Sequence, residues 1–222
     1  MESEQSKRTP PKDVRDRLRR EMNFGCPICR SPFLTYHHFD PLWEPAHLHN
    51  ESGMIALCSE HHNFADGGNY PTDYLRKLKE EPPIDPPKGQ LPWNVTSAFI
   101  SFGGNYFVTH KGKLFSFRVD GKNVFSFCLM ENGYLAVNAA IYNRTNHLIC
   151  EIVENDILPN LPSLGDLTCS THGKKIEIRS KSNDAYLSLK FDRLGERTLL
   201  SSVREKGAGL DRDRSSFVEP GF

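Results

Sequence analysis

Two short turns constrain this chain more than anything else in it: Cys26-Pro-Ile-Cys29 and, about 30 residues further on, Cys58-Ser-Glu-His61. Each leaves two residues between ligand-type side chains, the spacing of a zinc knuckle, in which a tight turn lets two donors converge on one ion. A lone Cys-x-x-Cys pair could equally be redox-active or merely buried. The second half-site lifts the reading, because Zn2+ prefers four nitrogen and sulfur donors in a tetrahedron. Cys26, Cys29, Cys58 and His61 supply that set. The fold must therefore bring the two turns side by side.

The stretch between the turns holds further ligand-type residues. Leu34-Thr35-Tyr36-His37-His38-Phe39 reads as a short strand of aromatic and β-branched residues, ending at Asp40-Pro41. Neighbours on a strand point to opposite faces, so His37 and His38 cannot do the same job. Leu42 to Gly53, with Trp43, Glu44, His47, His49 and Asn50, has the irregular polar composition of a surface connection. Met54-Ile55-Ala56-Leu57 reads as a buried strand delivering Cys58. Ser59 is expected to cap a helix running through Ala65 and stopped by Gly67-Gly68. On that helix His62 and Asp66 are four apart and share a face, while His61 is rotated by about 100° from His62. His61 can then turn to the zinc while His62 and Asp66 face the strand of His37 and His38, giving a second metal site beside the first.

Composition narrows the class of protein. Lys and Arg number 28 and Asp and Glu 28, so the formal net charge is zero and any phosphate binding must come from local patches. Of six cysteines, Cys128, Cys150 and Cys169 lie far apart in strand-like surroundings and read as core thiols, which argues against a disulfide framework. The N-terminal residues MESEQSKRTPPKD lack the apolar core of a signal peptide, and no apolar run approaches the ~18 residues needed to span a bilayer. A reducing, cytoplasmic compartment and no membrane partner are expected.

Along the chain, residues 1–10 read as a disordered tail, and Pro11 opens a helix carrying Val14, Leu18 and Met22 on one face. Arg15, Arg17, Arg19 and Arg20 share this helix; a solvated face is one reading and phosphate contact, above all by Arg15 and Arg19, the other. Thr72 is expected to cap a second helix that exposes Arg76, Lys77 and Lys79, where a solvated face is again one reading and phosphate contact, above all by Arg76 and Lys77, the other. Prolines 82, 83, 86, 87 and 92 mark a stiff linker at 82–92 between an N-terminal domain, 11–81, and a second domain, 93–205.

The second domain changes period to strict alternation. Strands are expected at 98–102, 113–119, 124–129, 134–138, 147–153, 175–179, 185–191 and 198–203, with Asp120-Gly121 and Asn132-Gly133 as hairpin signals. This predicts an all-β sandwich or barrel, and hence an α+β chain overall. Gly103-Gly104-Asn105-Tyr106-Phe107 reads as a bulge or tight turn. Residues 206–222 are a charged, Gly-rich tail.

The segments YHHFDP, GMIALC and CSEHHNFADGG resemble the zinc-ribbon branch of the HNH endonucleases, with a ββα-metal fold. The resemblance spans about Phe24 to Lys79, roughly a quarter of the chain. The GGN-aromatic element is similar to one that follows the nuclease motif in bacterial HNH proteins of this layout. The resemblance implies phosphodiester hydrolysis in DNA, leaving 5′-phosphate and 3′-hydroxyl ends. It puts His38 at the general base, His37 and His62 at ligands of a catalytic Mg2+, Mn2+ or Ni2+, and Asp66 at a third ligand found only in some members. The family's middle Asn is Gly53 here, so Asn50 or His49 would have to orient His38. A homodimer would suit cleavage of both strands. Two competing expectations are a non-catalytic zinc-ribbon nucleic-acid-binding or regulatory protein and an assembly protein using the β domain as its interface.

Overall fold

The computed structural model describes residues 8–191 apart from 96, 97, 103, 104, 110, 111 and 113. Described residues up to Lys190 belong to one compact unit. It combines helices and small antiparallel sheets, with the helices in the first half and a predominantly β region after it.

Helix α1 (Lys12–Glu21) starts after Pro11, whose carbonyl accepts the Arg15 N–H at 3.1 Å. Its apolar stripe of Val14, Leu18 and Met22 is buried, as the i, i+4, i+8 spacing requires. Asn23 and Phe24 adopt positive φ (49° and 59°) and turn the chain into the first cysteine knuckle. Strands β1 (Leu34–His38) and β2 (Met54–Cys58) pair antiparallel, with Leu34 opposite Cys58 and His38 opposite Met54. Every residue of β2 is buried. Helix α3 (Ser59–Asp66) follows β2 without a loop and packs on both strands. The side chains of Ser59 and Thr72 do not cap their helices. Cys58 and Pro71 hold the cap positions, and α3 and α4 (Thr72–Glu80) begin at the expected capping residues themselves.

The connection between β1 and β2 differs from its expected surface character. It contains a short helical turn, α2 (Trp43–Ala46), and a 3-10 turn at Glu51–Gly53. Trp43 is buried. Gly53 sits so close to the preceding turn that a Cβ there would lie 1.5 Å from the Asp40 carbonyl oxygen. Its own carbonyl accepts the N–H groups of Phe39 (2.8 Å) and Asp40 (3.1 Å), closing the end of the β1–β2 pair.

The Pro-rich segment lies along the first knuckle. Arg30 donates to the Asp85 carbonyl at 2.9 Å, Lys88 N–H donates to the Arg30 carbonyl at 2.8 Å, and Asn23 Nδ2 donates to the Pro83 carbonyl at 3.0 Å. Leu91, near its end, is fully buried.

The β region is built of meanders. Strands β3 (Ala98–Phe102) and β4 (Asn105–Thr109) pair, with Phe102 opposite Asn105; Gly103 and Gly104 lie outside the described residues. A five-stranded sheet runs β5 (Leu114–Val119), β6 (Lys122–Leu129), β7 (Leu135–Tyr142), β8 (Leu148–Val153), β9 (Asp156–Pro159) in sequence order. A three-stranded sheet runs β10 (Asp166–Cys169), β11 (Lys175–Arg179), β12 (Ala185–Lys190). Strands β4, β9 and β10 escape sequence prediction, and the strand expected at 198–203 lies outside the described residues. Asp120 (φ 49°) and Gly121 (φ 75°) form the two-residue turn between β5 and β6, as their residue types favour. Cys150 and Cys169 are buried, whereas Cys128 is half-buried. No helix among the described residues is long and apolar enough to cross a membrane.

Candidate metal centres

The first centre joins the two knuckles. Each of Cys26, Cys29, Cys58 and His61 offers a donor atom, and these atoms all lie within 4.8 Å of one another. Cys29 Sγ is 3.6 Å from Cys58 Sγ, and His61 Nδ1 lies 3.7 Å from Cys26 Sγ and 3.0 Å from Cys58 Sγ. A zinc tetrahedron with Zn–S of ~2.3 Å and Zn–N of ~2.0 Å has edges of roughly 3.5 to 3.8 Å, a size that the Cys29–Cys58 and Cys26–His61 separations match while Cys58–His61 is shorter. Burial first, and then the neighbouring thiols Cys26 and Cys58, pushes the Cys29 thiol up to about 12. Three thiols crowded together in this way suit a divalent cation that would hold them as thiolates.

Arg30, which sequence reading passed over, organises this knuckle. Its φ of 63° turns the chain after Cys29, its N–H donates to the Cys26 carbonyl at 2.8 Å, and the Cys26 N–H donates to the Ser31 carbonyl at 2.9 Å. Its guanidinium donates to the carbonyls of Met22, Asn23, Gly25 and Cys26 at 3.1 to 3.4 Å. These carbonyls lie just after α1 and in the turn that follows it; those of Met22 and Cys26 also accept the Gly25 and Arg30 N–H groups. A Cβ on Gly25 would meet this guanidinium at 3.0 Å, so glycine makes room for it.

The second centre lies where β1 faces α3. Asp66 stands between two histidines, its Oδ1 3.1 Å from His37 Nδ1 and its Oδ2 3.4 Å from His62 Nδ1. The two imidazoles meet edge to face, with centroids 5.2 Å apart. One donor atom from each of the three residues lies within 4.8 Å of the others. Two imidazole nitrogens and a carboxylate oxygen within that span are a donor set that a hard or borderline divalent cation could take. The centre is deep on one side and open on the other: His37 is buried and Asp66 exposed. Burial, reinforced by His62 alongside, lowers the His37 pKa. Arg8 reaches this edge too, with Nη2 3.8 Å from Asp66 Oδ2.

His38 leaves β1 on the opposite face, as strand alternation requires, and enters an aromatic pocket in the β1–β2 connection. Its Nε2 lies 3.0 Å from His49 Nδ1; the Trp43 ring is 5.1 Å from His38 and stacks on His49 at 4.9 Å. Burial first, then His49 and His37, lowers the His38 pKa to about 4, so its imidazole is neutral near pH 7. Asn50, the other candidate for orienting it, donates instead to the Asp40 carbonyl at 3.3 Å.

The four candidate phosphate-contacting cations have separate fates. Arg19 must be corrected: it is 5% exposed, with Nη2 2.7 Å from Asp166 Oδ2 and 2.6 Å from Asp16 Oδ1, and Nη1 2.6 Å from the Tyr36 hydroxyl. A guanidinium held on three sides inside the protein cannot reach a phosphate. Arg15 is half-buried, and its Nε is buried without a hydrogen-bond partner. Arg76 is paired with Asp40 at 2.7 Å and Asp73 at 3.0 Å, while Lys77 is exposed.

No family model, no curated protein and no solved structure matches this chain.

Proposed function

We propose that this chain is a metal-dependent endonuclease of the HNH type that hydrolyses phosphodiester bonds in DNA. The observation that carries the reading is the division of labour at His37 and His38: the first joins His62 and Asp66, the second is held by His49 on the other side of the same strand. A structural zinc site needs only the four ligands of the first centre. It leaves the second cluster and the pairing of buried His38 with His49 without a task.

In this reading Cys26, Cys29, Cys58 and His61 hold Zn2+ and fix α3 against the β1–β2 pair. His37, His62 and Asp66 hold a Mg2+, Mn2+ or Ni2+ ion, which would neutralise charge on the scissile phosphate and the departing 3′ oxygen. His38 is the general base. When its Nε2–H donates to His49 Nδ1, its own Nδ1 carries the lone pair and can accept a proton from the attacking water. His49 thus takes the orienting role of the Asn that Gly53 replaces, and Trp43 fixes both rings. Exposed Asp66 leaves the open side of the centre to phosphate and water.

The zero net charge favours a second reading, a non-catalytic zinc-ribbon binding or regulatory protein. Incubating the zinc-loaded protein with supercoiled plasmid and Mg2+, Mn2+ or Ni2+, beside His38→Ala, separates the two. Nicking or linearisation by the wild type, reduced roughly 10²- to 10⁴-fold in the variant, supports the nuclease. Intact plasmid, or equal cutting by the variant, rejects it.

A further inference from the structure

We propose that Asp166, in the β region, is a positioning residue for the metal-binding strand β1, acting through Arg19 and Tyr36. The inference rests on reading His37, His62 and Asp66 as metal ligands, and it gives the β region a part in that site.

The Arg19 guanidinium is the centre of the connection. Asp166 receives two of its bonds, Nε to Oδ1 at 3.2 Å and Nη2 to Oδ2 at 2.7 Å, and Tyr36 receives a third from Nη1 at 2.6 Å. A planar guanidinium gripped by a carboxylate has little freedom, so its remaining donors point in set directions. Both partners of the ion pair are almost wholly inside the protein, with side chains 6% and 9% exposed. Removing Arg19 would leave the Asp166 carboxylate buried without its cation, and removing Asp166 would leave Arg19 with only Asp16, 2.6 Å away on its own helix.

Asp166 is itself held. Thr168 Oγ1 donates to its Oδ2 at 3.1 Å. The neighbouring Gly165 N–H donates to the Arg179 carbonyl at 3.0 Å, and Gly165 packs where a Cβ would lie 1.9 Å from the Ser180 carbonyl oxygen. Arg20 Nη2 donates to the Gly165 carbonyl at 3.1 Å, and Phe33, immediately before β1, bridges to Cys169 on β10. The beginning of β1 is therefore tied to β10 through the backbone, and its middle through Arg19.

Tyr36 is the residue before His37. Its backbone is paired opposite Ala56 on β2, and holding its hydroxyl as well limits how far this part of β1, and with it His37, can shift against α3. The three ligands thus have two supports. His62 and Asp66 lie on α3, which a zinc ion held by Cys58 and His61 would anchor, whereas His37 lies on the strand tied to Asp166.

Zinc-loaded full-length protein and its Tyr36→Phe and Asp166→Asn variants would be titrated with Mn2+ alone, following bound Mn2+ by electron paramagnetic resonance and unfolding by circular dichroism. Each variant is expected to keep its zinc and to bind Mn2+ about tenfold more weakly, with the double variant no weaker than Asp166→Asn, because both act in one network. A role confined to docking the β region would lower the unfolding midpoint and leave Mn2+ affinity at the wild-type value, which overturns the inference alone. Should Asp166→Asn fail to fold, Tyr36→Phe, which removes a single hydroxyl, decides the question. Absence of Mn2+ uptake by the wild type would overturn the ligand reading, and the inference with it.

Discussion

His38 Nε2 and His49 Nδ1 lie 3.0 Å apart, a hydrogen bond between two imidazoles that couples the tautomer of one ring to that of the other. The proposed base depends on that coupling. If His49 orients His38, His49→Ala should lower plasmid cleavage by about 10- to 100-fold while leaving zinc content unchanged. His49→Asn, which restores an amide as partner, should recover part of the loss. Equal rates for wild type and His49→Ala would show that the pair has no catalytic role.

The zinc brace makes a stability prediction. Cys26→Ser removes a donor of the first centre; if a metal bound there is coupled to folding, the variant should lose the ion and the N-terminal helical signal together. Metal analysis of the wild type should return about one zinc per chain. A zinc-free wild type that melts normally would refute the brace.

Gly53 stands where the resemblance expects Asn, and steric room explains the glycine. Placing there the Asn that the resemblance expects, Gly53→Asn, should not raise plasmid cleavage. With a Cβ placed 1.5 Å from the Asp40 carbonyl oxygen, it should destabilise the protein by about 3 kcal/mol or more, measured by denaturant unfolding. Gly53→Ala should cost nearly as much, since the clash is made at Cβ.

Arg30 should matter as much as a zinc ligand's neighbour can. Its guanidinium serves four carbonyls around the knuckle, and Arg30→Ala leaves them without that donor. A loss of about 2 to 4 kcal/mol is expected, with only partial rescue by Lys, which lacks the planar fork. Denaturant unfolding of zinc-loaded protein measures both.

Acid sensitivity should be visible at Asp16. Burial pushes its carboxyl up, but hydrogen bonds from Lys12 and Arg19 outweigh it and hold the pKa below the ordinary value of 3.8. A carboxyl with a lower pKa folded than unfolded adds stability that is complete above the unfolded value and disappears as pH falls through the folded one. The stability difference between wild type and Asp16→Asn should therefore be largest near neutral pH and shrink below about pH 4. A difference independent of pH would refute this contribution.

Much of the candidate site was legible because its chemistry is local in sequence. The cysteine turns carry their own spacing. Alternation on a strand separates His37 from His38 whatever surrounds them, and the helical repeat joins His62 to Asp66. Other features were only partly legible or not at all. The resemblance left His49 and Asn50 as alternatives for orienting His38, the fold of the β1–β2 connection chooses His49, and a polar loop composition hid the buried Trp43 beside it. Arg19 looked like one more helical arginine. Nothing near it in sequence announces Asp166, which is 147 positions away.

The sequence by itself determined which residues can bind metal and which face of each element they occupy, because bond geometry and the periods of helix and strand depend only on neighbours along the chain. Tertiary structure decided which partners hold those residues in place: His49 for His38, Arg30 for the first knuckle, and Asp166 through Arg19 for β1. Those partners are fixed by the packing of distant segments, where burial turns an ordinary exposed arginine or histidine into one whose hydrogen bonds must be satisfied from within.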